Sequence, residues 1–402
     1  MKPAISLRAP VVCFAVLVAS CAHANLSPLP AAPAQASAAG KRPASFTSLF
    51  SFNGSNGKVP YAALIAESAT LLGTTYGGGD ADEGTVFTIK TSGNSQSVIY
   101  PFKGGKDGAL PQAALLDAGG TLYGTTVNGG GSGDEGTVFA IAASGKESVL
   151  HRFTGYTDGA NPYAGLIEVG GTFYGTTAGG GTHSAGTVYT ISPSGSESVI
   201  YSFGARYTDG STPVAPLVNA GGTLYGTTAY GGESYRSKHC SSSGCGSIFK
   251  ITASGAETIV YSFAGGKNGS MPMAALTNVG GTLYGTTSAG GTSNDGIVFK
   301  FAGANKETVL HTFKGGSDGA MPSSALTNVN GTLYGTTSAG GSSDEGTIFK
   351  ITTAGKETVL YSFTGDDGAI PEGGLVYSGG TLYGTTAAGG ANGEGTIFSI
   401  AP

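Results

Sequence analysis

The chain has 402 residues and a formal charge of −5; Gly supplies 72 residues, charged side chains only 11%, and Trp is absent. An acidic balance excludes a nucleic-acid backbone as the main partner, because that needs a basic face. Apolar residues at 39% exclude a disordered chain, and glycine without a three-residue period excludes collagen, which leaves many short strands joined by tight turns.

Residues 1–24 read as an export signal. Lys2 and Arg8 form a positive start, and Val11 to Ala19 is an apolar run too short to cross a bilayer as a helix. Two cleavage readings stand side by side. Ala22-His23-Ala24 has the small-x-small form, whereas Val18-Ala19-Ser20-Cys21 has the form of a lipobox, with Cys21 lipidated. Residues 25–45, rich in Ala, Pro and Ser, read as a tether. The expectation is an exported protein of the cell envelope or surface, lipid-anchored through Cys21 or else periplasmic or secreted. Any membrane contact would run through that lipid.

From residue 46 onward one unit recurs. The string YGTT, once LGTT, begins at Leu72, Tyr123, Tyr174, Tyr225, Tyr284, Tyr334 and Tyr383, with spacings of 51, 51, 51, 59, 50 and 49 residues. Each copy continues through a Gly-Gly pair to a strand such as Gly346-Thr347-Ile348-Phe349, then a turn and a strand such as Thr358 to Phe363. A loop of the form [DN]-G-x-x-P leads to the next copy, starting at Asn56, Asp107, Asp158, Asp209, Asn268, Asp318 and Asp367. Val, Ile, Thr, Tyr and Phe dominate the runs and Gly punctuates them, so each unit holds four strands. In the sixth copy these are A (Ser324–Asn328), B (Thr332–Thr337), C (Thr347–Ile351) and D (Thr358–Phe363).

Units of about 50 residues with four strands fit a propeller blade. The ends agree. Phe46 to Phe52 is a D strand with no A, B or C before it, and Gly395 to Ile400 is a C strand with no D after it. Joining the two would remove two raw edges. The fold expected is therefore all-β, a seven-bladed β-propeller over residues 46–402, closed by the N-terminal strand completing the last blade.

The LYGTT string with its Gly-Gly and GTVF continuations resembles the GloVer tandem repeat of bacterial surface proteins. The resemblance spans roughly residues 46–402, with Leu72 departing in the first copy and an insertion in the fourth. It implies an exported or surface-attached repeat protein and assigns no activity.

In such a blade the D–A and B–C loops share one face, and most of the chain's 25 acids fall there. Asp80, Asp82, Glu83, Asp134, Glu135, Asp295, Asp344, Glu345 and Glu394 lie in B–C loops; Asp107, Asp158, Asp209, Asp318, Asp366 and Asp367 lie in D–A loops. One reading is a cation site, Ca2+ for example, or a surface for a basic partner. The other is that each Asp before Gly folds back on its own turn. His151 and His311 replace a strand-D Tyr and read as packing variants.

Departures from the repeat are the better candidates for function. The fourth B–C loop is longer and carries Glu233, Tyr235, Arg236, Lys238 and His239 as candidate ligand contacts. Its Cys240 and Cys245 suit a disulfide in an exported chain; metal binding with His239 is the weaker alternative. No catalytic constellation, cofactor motif or phosphate loop is recognisable. Three functions stay open: a monomeric binding or scaffold module for a glycan, peptide or surface protein; a hydrolase or lyase acting on extracellular polymers; and a self-associating surface component.

Overall fold

The computed structural model describes residues 45–402 apart from 94, 207, 234–236 and 303–305. The export signal, Cys21 and nearly all of the tether lie outside the described residues, as do Tyr235 and Arg236. Seven four-stranded antiparallel sheets form a ring, a seven-bladed β-propeller. Counting from the first complete A-B-C set, the blades occupy residues 65–101, 116–152, 167–202, 218–262, 277–312, 327–362 and, for the seventh, 376–400 with 47–51.

Blade 6 shows the common plan: A, Thr327–Val329; B, Thr332–Thr337; C, Thr347–Thr352; D, Glu357–Ser362. Strand A is shorter than the sequence suggests, starting at Thr327 rather than Ser324. The preceding backbone is used differently: the Ser324 carbonyl accepts a hydrogen bond from Thr286 Oγ1 of blade 5 at 3.2 Å.

The repeated motif records contacts between blades. A Cβ on Gly335 of YGTT would stand 2.7 Å from the Phe349 ring, so glycine makes room for the strand-C aromatic. The first Thr of each pair reaches the next blade, as Thr125 Oγ1 donates to the Ala164 carbonyl at 3.0 Å. Thr74, Thr176, Thr227, Thr286 and Thr385 do the same, whereas Thr336 turns to Ser324 Oγ of its own blade. In six blades the second Thr pairs with the first hydroxyl of strand C, as between Thr126 and Thr137 at 2.8 Å, whereas blade 5 has Ile297 there.

The buried apolar side chains gather in clusters that straddle junctions rather than fill blades. Phe102 and Val86 of blade 1 pack with Leu115, Leu122, Phe139 and Ile141 of blade 2. Tyr123 and Phe173 meet in the same way between blades 2 and 3, with centroids 4.6 Å apart. A blade therefore cannot bury its apolar faces alone, which favours a complete ring.

Closure is by the N-terminal strand. Thr47–Ser51 pairs antiparallel with Thr396–Ile400, placing Ser51 opposite Thr396. Phe52 packs with Ile397 and Tyr383 of blade 7 and Leu64, Leu71 and Phe87 of blade 1. Thr385 Oγ1 donates to the Ala62 carbonyl at 3.0 Å, the same bond that links the other blades.

Candidate functional site

Two places combine polar chemistry with a departure from seven-fold sameness: the axial mouth and the rim between blades. The mouth is built by the D–A loops. Their seven residues before proline, Val59, Leu110, Asn161, Thr212, Met271, Met321 and Ile370, all have φ between 52° and 59°. This left-handed backbone is strained for any non-glycine residue, most of all for β-branched Val59, Thr212 and Ile370.

Hydrogen bonds from two blades impose it. The Leu110 amide donates to the Glu83 carbonyl of blade 1 at 2.8 Å, and its carbonyl accepts from Val127 of blade 2 at 3.3 Å. The same pair of bonds forms at all seven positions. The proline that follows packs on the preceding blade: a Cβ on Gly84 would lie 2.5 Å from Pro111 Cδ.

The strain thus aims the residue after each proline. These are Tyr61, Gln112, Tyr163, Val214, Met273, Ser323 and Glu372, each partly exposed between buried neighbours. They lead into strands A, the strands that neighbour one another from blade to blade around the axis. The frame is constant and the side chains are not. Ser323, Glu372 and Tyr61 sit on consecutive blades 6, 7 and 1, with Gln112 and Tyr163 continuing the polar arc and Val214 and Met273 opposing it.

Tyr76, from the blade 1 B–C loop, meets Tyr61 edge-on with centroids 5.4 Å apart. Burial pushes the Glu372 carboxyl up to about 7. Burial raises the Tyr61 phenol, as do the charge of Glu372 and the nearby Tyr76, so Tyr61 stays a neutral donor and acceptor. Ser323 Oγ is shielded and has no hydrogen-bond partner. Such a mouth offers hydroxyl, amide and carboxyl groups beside aromatic faces, suited to an uncharged polar ligand.

The acidic loops are largely turn staples. Asp82, Asp134 and Asp344 accept from the amides of Gly78, Gly129 and Gly340 at 2.8, 2.6 and 2.8 Å. Asp107, Asp158 and Asp318 accept from the amides of Lys103, Thr154 and Lys314 at 2.8, 3.0 and 2.9 Å. Asp82 also pairs with Lys58 at 2.8 Å, which holds its carboxyl below the usual range together with the Gly78 amide.

The D–A acids have a second partner that the sequence conceals. Tyr100 Oη donates to Asp107 at 2.6 Å, Tyr201 to Asp209 at 3.0 Å, and Tyr361 to Asp367. In blade 5 His311 Nε2 occupies that place, 3.2 and 3.3 Å from the two Asp318 carboxylate oxygens; in blade 2 His151 Nε2 lies 3.4 Å from Asp158, too misaligned for a hydrogen bond. At five junctions a glutamate opening strand D of the following blade approaches this position. Tyr261 Oη donates to Glu307 at 3.3 Å, and Glu147, Glu197, Glu257 and Glu357 occupy the equivalent place. A β-bulge between strands C and D, present in all seven blades, adds to the twist that swings these strands together.

The described residues of the fourth B–C loop make their contacts away from the axial residues. Glu233 is exposed and its amide donates to Ser262 Oγ at 3.0 Å; Ser237 Oγ donates to the Ala264 carbonyl at 2.8 Å. Lys238 and His239 are exposed, and His239 lies against Gly265 and Gly266. A disulfide joins Cys240 to Cys245, whose side chain is buried in the core between blades 4 and 5. These contacts are with the outer end of blade 4, and none of the described candidates joins the axial residues. Sequence reasoning missed the axial ring. Its signal was available as a column of the repeat, the residue after the loop proline, whose chemistry varies inside an invariant frame.

Among solved structures, the chain is similar to an oligogalacturonate lyase in complex with manganese, at TM-score 0.51 and 12% identity over 89% of this chain and 93% of that one. It is also similar to a luciferin-regenerating enzyme, at TM-score 0.42 and 12% identity over 86% and 92%. At such identities the likeness shows the fold alone. No curated protein matches the chain. The profile of the Gloeobacter/Verrucomicrobia repeat matches residues 40–240 and 236–402, and the chain belongs to that repeat family.

Proposed function

We propose that this propeller is a binding module of the cell envelope, exported through its N-terminal signal, whose ligand docks at the axial mouth formed by Tyr61, Tyr76, Gln112, Tyr163, Ser323 and Glu372. The observation that carries the reading is the column Tyr61, Gln112, Tyr163, Val214, Met273, Ser323 and Glu372, which varies from polar to apolar at the mouth inside a repeated frame. Staples recur because every junction needs them; a ligand that lacks seven-fold symmetry needs different groups at equivalent places. Aromatic faces next to hydroxyl, amide and carboxyl groups suit a glycan with few charges. The disulfide-bearing loop, with Glu233, Lys238 and His239, would be peripheral to it.

Calorimetry of the purified chain against neutral and acidic oligosaccharides tests this. Binding should appear for the neutral class, and Tyr61→Ala and Glu372→Gln should each weaken it at least about tenfold, the loss of one good polar or stacking contact, at unchanged melting temperature. Absence of binding to every oligosaccharide, or binding untouched by both variants, would remove the proposal. Lipid attachment has its own check: Cys21→Ala should abolish fatty-acid labelling and release the chain from the membrane fraction.

A catalytic reading has one observation in its favour, a carboxyl at the mouth with affinity for protons near neutrality. Bond cleavage in a bound oligosaccharide, lost in Glu372→Gln while binding persists, would establish it.

A further inference from the structure

We propose that the rim between blades 5 and 6 binds one divalent transition-metal ion through His311 Nε2, Asp318 and Glu357. One ligand atom from each lies within 4.8 Å of the others. His311 Nε2 and Asp318 Oδ1 are 3.2 Å apart, close to the edge of about 3.3–3.6 Å expected between ligands held at about 2.0–2.2 Å from a tetrahedral ion.

Three further features favour an ion over a closed hydrogen-bond network. Glu357 Oε1 is buried and has no hydrogen-bond partner, as is true of Glu147, Glu197, Glu257 and Glu307, but among the described residues only Glu357 has a histidine and an aspartate within reach of a shared ion. Among the described residues no Lys or Arg forms an ion pair with Asp318 or Glu357, so two carboxylates meet without a compensating cation. Asp318 Oδ2 accepts from the Lys314 amide at 2.9 Å, which orients the carboxylate with both oxygens toward the imidazole, Oδ1 3.2 Å and Oδ2 3.3 Å from His311 Nε2. Blades 1, 3, 4 and 6 place tyrosine where blade 5 has His311. A phenol donates one hydrogen bond to the aspartate, whereas a neutral imidazole nitrogen supplies a lone pair.

One imidazole and two carboxylates suit zinc-like ions better than calcium, which prefers six to eight oxygens. The junction of blades 2 and 3 has the same residue types in His151, Asp158 and Glu197, but among the described residues only His311, Asp318 and Glu357 come within reach of a shared ion. This rim lies on the outer strands and is separate from the axial mouth.

The test is zinc titration of the chelator-treated full chain by calorimetry, with calcium as the control ion and cobalt absorption as a report on coordination. One equivalent of zinc should bind, and the melting temperature should rise with it. His311→Tyr restores the residue of the other blades and should keep the fold by circular dichroism while zinc affinity falls at least about tenfold. Glu357→Gln should fall likewise, which decides the matter if the tyrosine variant misfolds. His239→Ala should bind as wild type. Absence of zinc binding by the wild type, or equal binding by His311→Tyr and Glu357→Gln, overturns the proposal.

Discussion

Phe46 lies flat on Tyr361, with ring centroids 3.8 Å apart and planes 6° from parallel. Phe46 precedes the first strand of the chain and Tyr361 closes the outer strand of blade 6, so this pair ties the N-terminal segment to the last full blade. It stands where five other junctions carry glutamate. There a polar group meets the Tyr or His and the loop aspartate or asparagine of the preceding blade; here an aromatic face replaces it, with Phe363 edge-on at 5.7 Å.

Removing this contact should loosen closure before it disturbs any other junction. Phe46→Ala is expected to cost about 1–3 kcal/mol, from lost burial and stacking, measured by urea unfolding. Removing residues 45–51 should cost more and leave the strand Thr396–Ile400 as an open edge. Sedimentation at rising concentration should then show association that the full chain lacks.

The bond that closes the ring can be cut without changing size. Thr385→Val removes the hydroxyl that donates to the Ala62 carbonyl. The expected loss is about 1–3 kcal/mol, because a buried acceptor is left unpaired. Thr336→Val is the informative comparison, since Thr336 bonds inside its own blade and its loss should not affect closure. Paired unfolding curves check both.

Glycine before strand C should be irreplaceable. Gly346 has φ 97°, and a Cβ there would stand 2.4 Å from the Thr337 carbonyl and 2.5 Å from Pro371 Cδ. Gly346→Ala is expected to destabilise by about 2–4 kcal/mol through backbone strain and clash, read from the midpoint of denaturant unfolding. Gly379→Ala, at a turn with open space around the added carbon, should cost less, from its positive φ alone.

Stability should fall as pH rises from about 4.5 to above 7. Burial, with the charges of Asp107 and Asp209 adding to it, pushes Glu147 and Glu257 up to about 7 from an ordinary value of 4.5. The folded chain therefore binds these protons more tightly than the unfolded one. The contribution is complete below the unfolded value and disappears as pH climbs through the folded value. Melting temperatures across this range should slope downward, and the double variant Glu147→Gln, Glu257→Gln should flatten the slope.

Copy number, strand order and the offset that closes the ring were legible because each depends on local pattern. Alternating β-branched and aromatic runs make strands, Asn-Gly and Gly-Gly make turns, and a D strand at one end answers a missing D strand at the other. The Asp-Gly staples were legible too, as an aspartate near its own turn amides needs no distant partner. The disulfide between Cys240 and Cys245 spans a short separation for the same reason.

What depends on the twist of the blades was not legible. Tyr261 and Glu307 are 46 positions apart, near opposite ends of the outer strands of successive blades; the bulged outer strands bring them together. Tyr61, Ser323 and Glu372 share the axial mouth only because circular closure makes blade 7 the neighbour of blade 1. Local sequence determines which segments pair, but the curvature accumulated over seven sheets decides which side chains meet across junctions, and both candidate sites lie at such meetings.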